Sequence, residues 1–381
     1  MKLVVLGCGF HGRGVAYELA KMLEITDVVV ADRDSALARQ TAERIGAQWS
    51  SIDVQNGAAL RDLIRGASLV FNAVGPYHYL QSGVRVVEAA LAERVAYVDM
   101  NDDHEVAEEL LLNPTWNEAA KEAGIAIITG TGIAPGMTGL LAKLGCQRFP
   151  EANSVDVKFS WNYSLAYPAA LHHFFRLNSG FAPQFIDGVY VRPGAFSGSE
   201  KVAFLAPVGI KEVCYTGIND PVSISHSLPT LKRVTAKGAY HQQEANELLR
   251  TMVRWGFTSY EALSENTLSP FEYLMQFINS STGKTYFDIP LEDAPMSVKV
   301  EIGEVGREQP ALVLEGQDFS RRGTTSACAV VAAMLLRGEI DFTGVRAPEG
   351  CVDAEQFLSI TAQHPDIKLF EWHAGRCQPL F

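Results

Sequence analysis

The sequence predicts an α/β chain in which a doubly wound, parallel-sheet domain comes first and an α+β mixed-sheet domain is inserted into it. Three observations predict this. An apolar run at Leu3 to Leu6 breaks into Gly7-Cys8-Gly9-Phe10-His11-Gly12 and resumes at helical spacing through Val15, Leu19, Met22 and Leu23. Up to residue 128, short apolar runs then alternate with helical stretches, the pattern of a parallel sheet covered on both faces. From residue 154 the period changes: Val155, Val157, Phe159 and Trp161 alternate as a half-buried strand of a mixed sheet should.

Taken in order, an apolar strand at 28–31 ends in Asp32, a helix follows at 36–45, and a strand at 48–52 ends near Asp53. A helix at 58–64 leads to the apolar strand 68–74, which runs into Gly75-Pro76-Tyr77. A helix at 83–91, a strand at 95–98 ending at Asp99, a helix at 106–123 and a strand at 125–128 complete the alternation. The chain then turns through Thr129-Gly130-Thr131-Gly132-Ile133-Ala134-Pro135-Gly136-Met137. Pro135 suits the first position of a helix over 136–149, whose positive end would point back at the cleft. Further alternation at 298–302 and 312–314, with helices at 169–177, 244–255 and 270–278, predicts the mixed sheet with one face covered. The segment 324–336 is made of small and apolar residues, is followed by Gly338, and is too short to span a membrane. It is predicted to lie buried against the first domain. The predicted organisation is therefore a dinucleotide-binding domain at 1–134, a substrate and dimerisation domain at 135–322, and a terminal segment, 323–381, returning to the first.

The dinucleotide rests on the glycine turn. Gly7 permits the tight turn, Gly9 lets backbone approach a pyrophosphate, Gly12 brings the helix close to its strand, and the helix start offers free N–H groups. Asp32 lies twenty residues past Gly12, the spacing at which a carboxylate accepts from both ribose hydroxyls of NAD and repels a 2′-phosphate. Arg33, beside it, keeps NADP possible. This is the Rossmann arrangement, whose ligand crosses the carboxyl ends of the strands. Phe10, His11, Asp53, Ala73, Val74, Gly75, Tyr77 and Asp99 are placed beside the cofactor on that ground, with Tyr77 alternatively a cap packed on its own loop.

Composition limits the remaining choices. The chain has 381 residues, 47% apolar and 20% charged, which suits two ordinary globular domains. A net charge of −12 with no basic stretch argues against a nucleic-acid partner. The six cysteines share no metal-ligand spacing, the chain opens straight into its first strand, and no apolar run has the length of a membrane span; a cytoplasmic protein is expected. The doublet His172-His173 does not predict a metal site, since adjacent helical residues point apart.

In this order the pieces resemble the saccharopine dehydrogenase family, and within it the lysine 6-dehydrogenases. The resemblance is carried by the segment 4–12, by Asn72-Ala73-Val74-Gly75-Pro76-Tyr77, by Tyr97-Val98-Asp99 and by Gly132-Ile133-Ala134-Pro135-Gly136-Met137. It continues in Ser227-Leu228-Pro229-Thr230-Leu231-Lys232-Arg233 and closes with Gly344-Val345-Arg346-Ala347-Pro348-Glu349. It implies a homodimer and NAD(P)-linked oxidation at a carbon bearing nitrogen. Where such enzymes carry an Arg-Tyr-x-Gly-His run, this chain has Lys237-Gly238-Ala239-Tyr240-His241, so the histidine is kept and its neighbours differ.

The implied reaction is oxidative deamination of an amino-acid side-chain amine, L-lysine first, to an aldehyde that cyclises. It requires a base, an anion site and a dry cleft. Asp99, at a strand end beside the nicotinamide, and His241, from the second domain, are the catalytic candidates, ahead of His104 and His173. Arg233, Arg322 and Tyr215 are candidates for holding the substrate. The same fold serves imine reduction of the saccharopine- or carboxynorspermidine-forming kind. A different class of protein, a dinucleotide sensor without turnover, is compatible with the altered 237–241 run.

Overall fold

The computed structural model describes residues 1–381 except 24–26, 163–167, 262–263, 265–266, 287–288, 291, 321 and 374, and the side chains of 168–170. Among the described residues seven strands form the first sheet: β1 (Lys2–Leu6), β2 (Asp27–Asp32), β3 (Gln48–Ser51), β4 (Leu69–Asn72), β5 (Ala96–Asp99), β6 (Ala126–Ile128) and, from far along the chain, Gly344–Arg346. Every pairing is parallel, in the order Gly344–Arg346, β6, β5, β4, β1, β2, β3. Strand β1 is buried on both faces: Leu3 and Val5 enter one apolar core, Val4 and Leu6 the other. That double burial is why its sequence is a continuous apolar run and not an alternating one.

The crossover helices are α1 (Phe10–Leu23), α2 (Ser35–Ile45), α3 (Gly57–Ile64) and α4 (Ser82–Glu93). Beyond them the structure corrects two expected helices. The stretch 106–123 is not continuous: α5 (His104–Ala107) widens into a π turn at Glu108–Leu112, and α6 (Pro114–Ala123) starts afresh. Pro114 disfavours helical backbone at Asn113, which turns extended and caps α6 by accepting from the Thr115 N–H at 3.1 Å. Nor does Pro135 open a helix. Gly136 has φ +111°, and a side chain there would meet the Gly130 carbonyl at 3.1 Å, so the chain folds back on itself before α7 (Thr138–Arg148) begins.

The second sheet holds ten described strands: β7 (Ser154–Trp161), β8 (Gln184–Ile186), β9 (Val189–Val191), β10 (Glu200–Ala203), β11 (Ile210–Tyr215), β12 (Arg233–Tyr240), β13 (Met296–Gly303), β14 (Leu312–Asp318), and two more near the chain end. Strands β7 and β12 run parallel at its centre, and the other pairings are antiparallel. Gly238 stands opposite Phe159 in that central pair, where any side chain would fall 1.8 Å from the Phe159 ring, so the glycine leaves room for the aromatic. Helices α8 (Pro168–Arg176), α9 (Asp220–Ser227), α10 (Gln243–Arg254), α11 (Pro270–Asn279) and α12 (Ser281–Tyr286) accompany this sheet.

The terminal segment is shared between the two sheets, which corrects its expected return to the first alone. Helix α13 (Gly323–Leu336) is buried along most of its length, and its Thr325 methyl lies 2.7 Å from where a side chain on Gly14 of α1 would start. After it, β15 (Gly344–Arg346) is the seventh strand of the first sheet, beside β6, followed by α14 (Pro348–Cys351) and α15 (Ala354–Ala362). Strands β16 (Ile367–His373) and β17 (Arg376–Pro379) then extend the second sheet from β14. Among the described residues no helix is long and apolar enough to cross a membrane.

Candidate active site

The glycine turn joins β1 to α1 with each glycine under a different constraint. Gly7, at φ +89°, passes so close to β4 that a side chain would sit 2.7 Å from the Ala73 carbonyl oxygen. On Gly12 it would sit 1.9 Å from the Gly7 carbonyl oxygen. At Gly9 it would meet nothing within 4 Å, so this backbone faces open space at the head of α1. A pyrophosphate fits there: it needs bare backbone and a helix start, and both are present. Phe10 is exposed at the rim, with the Arg13 guanidinium 5.8 Å from its ring centre.

Asp32 ends β2 beside this turn. Its carboxylate accepts from the Cys8 N–H at 2.7 Å and the Asp34 N–H at 2.9 Å, which fixes it while leaving lone pairs for ribose hydroxyls. Arg33 is exposed next to it. Asp53 is exposed and accepts from the Gln55 N–H at 2.9 Å, closing its own turn at the edge of the sheet.

The loop after β4 carries Ala73, Val74 and Gly75, all half-buried beside the turn. Of the two readings of Tyr77, the structure favours the cap on its own loop: the residue is buried, and its hydroxyl donates to the Asn72 carbonyl at 2.8 Å. Asp99 is engaged within the strand ends themselves. It is wholly buried, and each oxygen accepts two donors: Oδ2 from the Tyr97 hydroxyl at 2.8 Å and the Thr129 hydroxyl at 3.0 Å, Oδ1 from the Asn101 N–H at 3.0 Å and the Gly130 N–H at 2.7 Å. Burial raises its pKa to about 6 against the pull of those hydrogen bonds. Asp99 ties the end of β5 to the end of β6 and presents no free oxygen to a substrate.

His241 directly follows β12. It is buried in the second domain, with Nε2 2.9 Å from the Pro295 carbonyl and Nδ1 2.9 Å from the Ser160 hydroxyl. The carbonyl only accepts, so Nε2 carries the hydrogen and Nδ1 accepts from Ser160. The substrate candidates also lie apart from one another. Arg233, at the opposite end of β12 from Tyr240, pairs with Asp156 at 3.2 Å; Tyr215 stacks under the Lys237 ammonium at 4.7 Å; Arg322 is exposed at the head of α13.

What the structure does bring together is Asp102, Asp103, His173 and His11. The loop leaving β5 presents Asp102 and Asp103; α8 of the second domain brings His173 between them. Nε2 of His173 pairs with Asp102, and its Nδ1 lies 3.7 Å from Asp103 Oδ1. Burial opposes the charge on His173, but the two carboxylates outweigh it and hold its pKa up at about 9. Burial and that positive charge together push His11, on the glycine turn, down to about 4. These three acid and imidazole groups also have the donor types of a metal site. Their carboxylates, however, lie against opposite nitrogens of one ring, an arrangement that suits an imidazolium better than a single ion.

Beside this group a cavity of about 570 Å³ opens over the ends of β4 and β5, lined in part by His78, Tyr79, Asp103, His172, Arg176 and Tyr260. Arg176 pairs with Glu105 and lies 5.4 Å over the Tyr260 ring, while His172 packs 4.8 Å from both Tyr79 and Phe271. The sequence held a sign of this site in the acidic pair directly after the β5 strand end. What joins it to residue 173 is the docking of α8, which no local pattern encodes.

Residues 3–128 match a family model described as saccharopine dehydrogenase NADP binding domain. The chain is 26% identical over 166 residues to the carboxyaminopropylagmatine dehydrogenase of Synechocystis sp., covering 41% of this chain and 40% of that protein. It is 30% identical over 149 residues to a saccharopine dehydrogenase-like oxidoreductase of Rattus norvegicus, covering 34% of each. These matches thus take in well under half the length of either relative. In fold it is similar over 97% of its length to 99% of the apo saccharopine dehydrogenase (L-Glu forming) of Saccharomyces cerevisiae, with a TM-score of 0.68 at 14% identity. The glycine turn, the placement of Asp32 and the match over residues 3–128 together make the amino-terminal part of this chain a dinucleotide-binding domain, similar to the NADP-binding domain of saccharopine dehydrogenases.

Proposed function

We propose that the chain is an NAD(P)-linked oxidoreductase acting at a carbon–nitrogen bond of a small amine or amino acid held in the cavity over β4 and β5. The observation that carries this reading is the charged His173 ring fixed between Asp102 and Asp103, on the edge where a doubly wound sheet presents its ligand. The bound nicotinamide supplies or accepts hydride. The chain's own residues must then move the proton. When a carbon–nitrogen bond changes oxidation state, its nitrogen gains or loses a proton, and a group held near pKa 9 is already protonated at neutral pH. Where a substrate nitrogen displaces Asp103 from His173 Nδ1, 3.7 Å away, the imidazolium can donate its proton to an imine there, and it accepts from an amine only as the pH rises. Tyr79, Tyr260 and His172 give that nitrogen an aromatic wall.

This direction favours reduction of an imine that joins two amine-bearing parts, and the relative named for carboxyaminopropylagmatine supports it. Oxidative deamination of the L-lysine side chain is the second reading, supported by the motifs shared with lysine 6-dehydrogenases. Rates of NADH and NADPH oxidation with paired amines and oxoacids or aldehydes, set against NAD and NADP reduction with L-lysine alone, separate the two. Tight nucleotide binding without turnover in either assay would leave a sensor.

A further inference from the structure

We propose that His172 determines which substrates the candidate site takes: its ring, set in the cavity wall, accepts a hydrogen bond from a second, cationic nitrogen of the substrate, an ammonium or a guanidinium. The reacting nitrogen is a separate one, at His173. Helix geometry splits the histidine doublet. Adjacent residues of α8 point apart, so His173 reaches Asp102 and Asp103 while His172 lines the cavity. Tyr79 and Phe271 pack against His172 with ring centres 4.8 Å away, and Tyr260 at 6.3 Å.

His172 is 8% exposed, and neither Nδ1 nor Nε2 has a hydrogen-bond partner among the described residues. With no acceptor to hold a charge, the ring is neutral, and burial pushes its pKa down to about 4. It therefore carries one N–H and one lone pair, both unspent. Unspent buried polar atoms are costly. A phenyl ring would meet the same three aromatic neighbours without that cost, so packing alone does not account for an imidazole here. Both nitrogens are covered. Phe271 is buried, but Tyr79 is 54% exposed, so the way onto the ring is from the Tyr79 side. An ammonium entering between the two takes the lone pair of His172 on one side and the face of Tyr79 on the other.

Charge favours a cation over a carboxylate in that place. The charged groups lining the cavity, with their ion-pair partners, are His173, Arg176 and Arg192 against Asp102, Asp103, Glu105 and Glu108. Burial lowers His78 and His104, which leaves them out of this balance. Carboxylates are in excess by one. Each arginine is already matched, Arg176 to Glu105 and Arg192 to Glu108 at 2.7 Å, so a substrate carboxylate would have to displace one of these partners. Asp103 Oδ1, by contrast, has no hydrogen-bond partner among the described residues. The wall lacks a positive charge and donors, and a molecule with two nitrogens, a diamine or a basic amino acid, supplies both. That this molecule is the substrate rests on the proposed function. Its binding does not.

Titration calorimetry of the full chain with NADH, which cannot take hydride from an amine, compares 1,4-diaminobutane with n-butylamine, the same carbon chain without the second nitrogen. Wild type should bind the diamine about 10- to 100-fold more tightly, the scale of one hydrogen bond to a charged group. His172→Phe, which keeps the ring contacts and loses the nitrogens, should abolish that preference while holding butylamine affinity and melting temperature. His172→Gln, which retains a donor and an acceptor, should keep part of it. In nitrogen NMR spectra of wild type, the resonance of the unprotonated His172 nitrogen should move upfield with the diamine and stay in place with butylamine; this readout needs no variant to fold. Equal affinity of wild type for the two amines overturns the assignment, as does a diamine preference kept in His172→Phe. So does a resonance unmoved by the diamine, the result if a water holds that place. A chain that binds the diamine through His172 but turns over no amine or imine leaves the assignment in force and removes the proposed function alone.

Discussion

His173 of the second domain pairs with Asp102 of the first, so the ion pair that charges the candidate site also joins the two domains across it. The consequence for titration is direct. Asp102→Asn removes the main group holding the imidazolium, burial then prevails, and the His173 ring should titrate well below about 9, toward or below its ordinary 6.5. NMR titration of the ring resonances of wild type and variant reads this. An unmoved value would show that Asp102 does not set the charge.

The same pair predicts a slope in stability. Below the ordinary histidine value of 6.5, folded and unfolded chains both carry the proton and the contribution is complete; above it only the folded chain does, until about 9. Stability should therefore fall as pH rises through that window, and His173→Gln should flatten the fall. Turnover in His173→Gln should drop by about 10²- to 10⁴-fold, the scale of a lost acid–base group, with nucleotide affinity kept. A variant with wild-type turnover excludes His173 from the proton transfer.

The glycines give a paired test. Gly9→Val adds a side chain into open space, so the melting temperature should hold while NAD(P) binding is lost. Gly12→Val drives its side chain into the Gly7 carbonyl, so the fold itself should suffer. Calorimetric titration with nucleotide alongside thermal melting distinguishes them. Near-native affinity in Gly9→Val would remove the pyrophosphate from that space.

These contrasts mark how far the sequence could be read. The strands of the first sheet and the placing of Gly7, Gly9, Gly12 and Asp32 were legible because chain order alone brings them together: the βαβ unit from Lys2 to Asp32 has one way to fold back. Asp99 was legible as a strand end but not as a buried one, since its four donors come from Tyr97, Asn101, Thr129 and Gly130, two of them across the β6 turn. The surroundings of His241 were hidden for a similar reason. Imidazole chemistry made it a candidate, but the Ser160 hydroxyl and Pro295 carbonyl that engage both its nitrogens lie some eighty and fifty positions away. The break at Asn113 was readable from Pro114 and was overridden by the helical period on either side.

Cofactor choice turns on Asp32. Asp32→Ala should weaken NAD binding by about 1 to 3 kcal/mol, the range of a charge-assisted hydrogen bond, and narrow the difference between NAD and NADP. Because the same carboxylate holds the Cys8 N–H, a small loss of affinity for both nucleotides should accompany the change. Dissociation constants for the two cofactors measure it; an unchanged ratio removes Asp32 from the ribose.

Asp99 gives the last test, because its burial separates a structural carboxylate from a catalytic one. Asp99→Asn keeps the shape, but a carboxamide has only one accepting oxygen, so its NH₂ must face either the N–H groups of Asn101 and Gly130 or the hydroxyls of Tyr97 and Thr129. The hydroxyls can rotate to accept, whereas backbone N–H groups cannot. The amide should therefore turn its oxygen to the backbone, and the cost should stay at about 1 to 3 kcal/mol, that of weakened charge-assisted bonds. Turnover should then fall only as far as the folded fraction and the β5 loop are disturbed, well short of the loss in His173→Gln. Melting temperature, nucleotide affinity and kcat for Asp99→Asn beside His173→Gln decide the matter. A loss of kcat in Asp99→Asn as large as in His173→Gln, at an unchanged melting temperature, would return Asp99 to the chemistry.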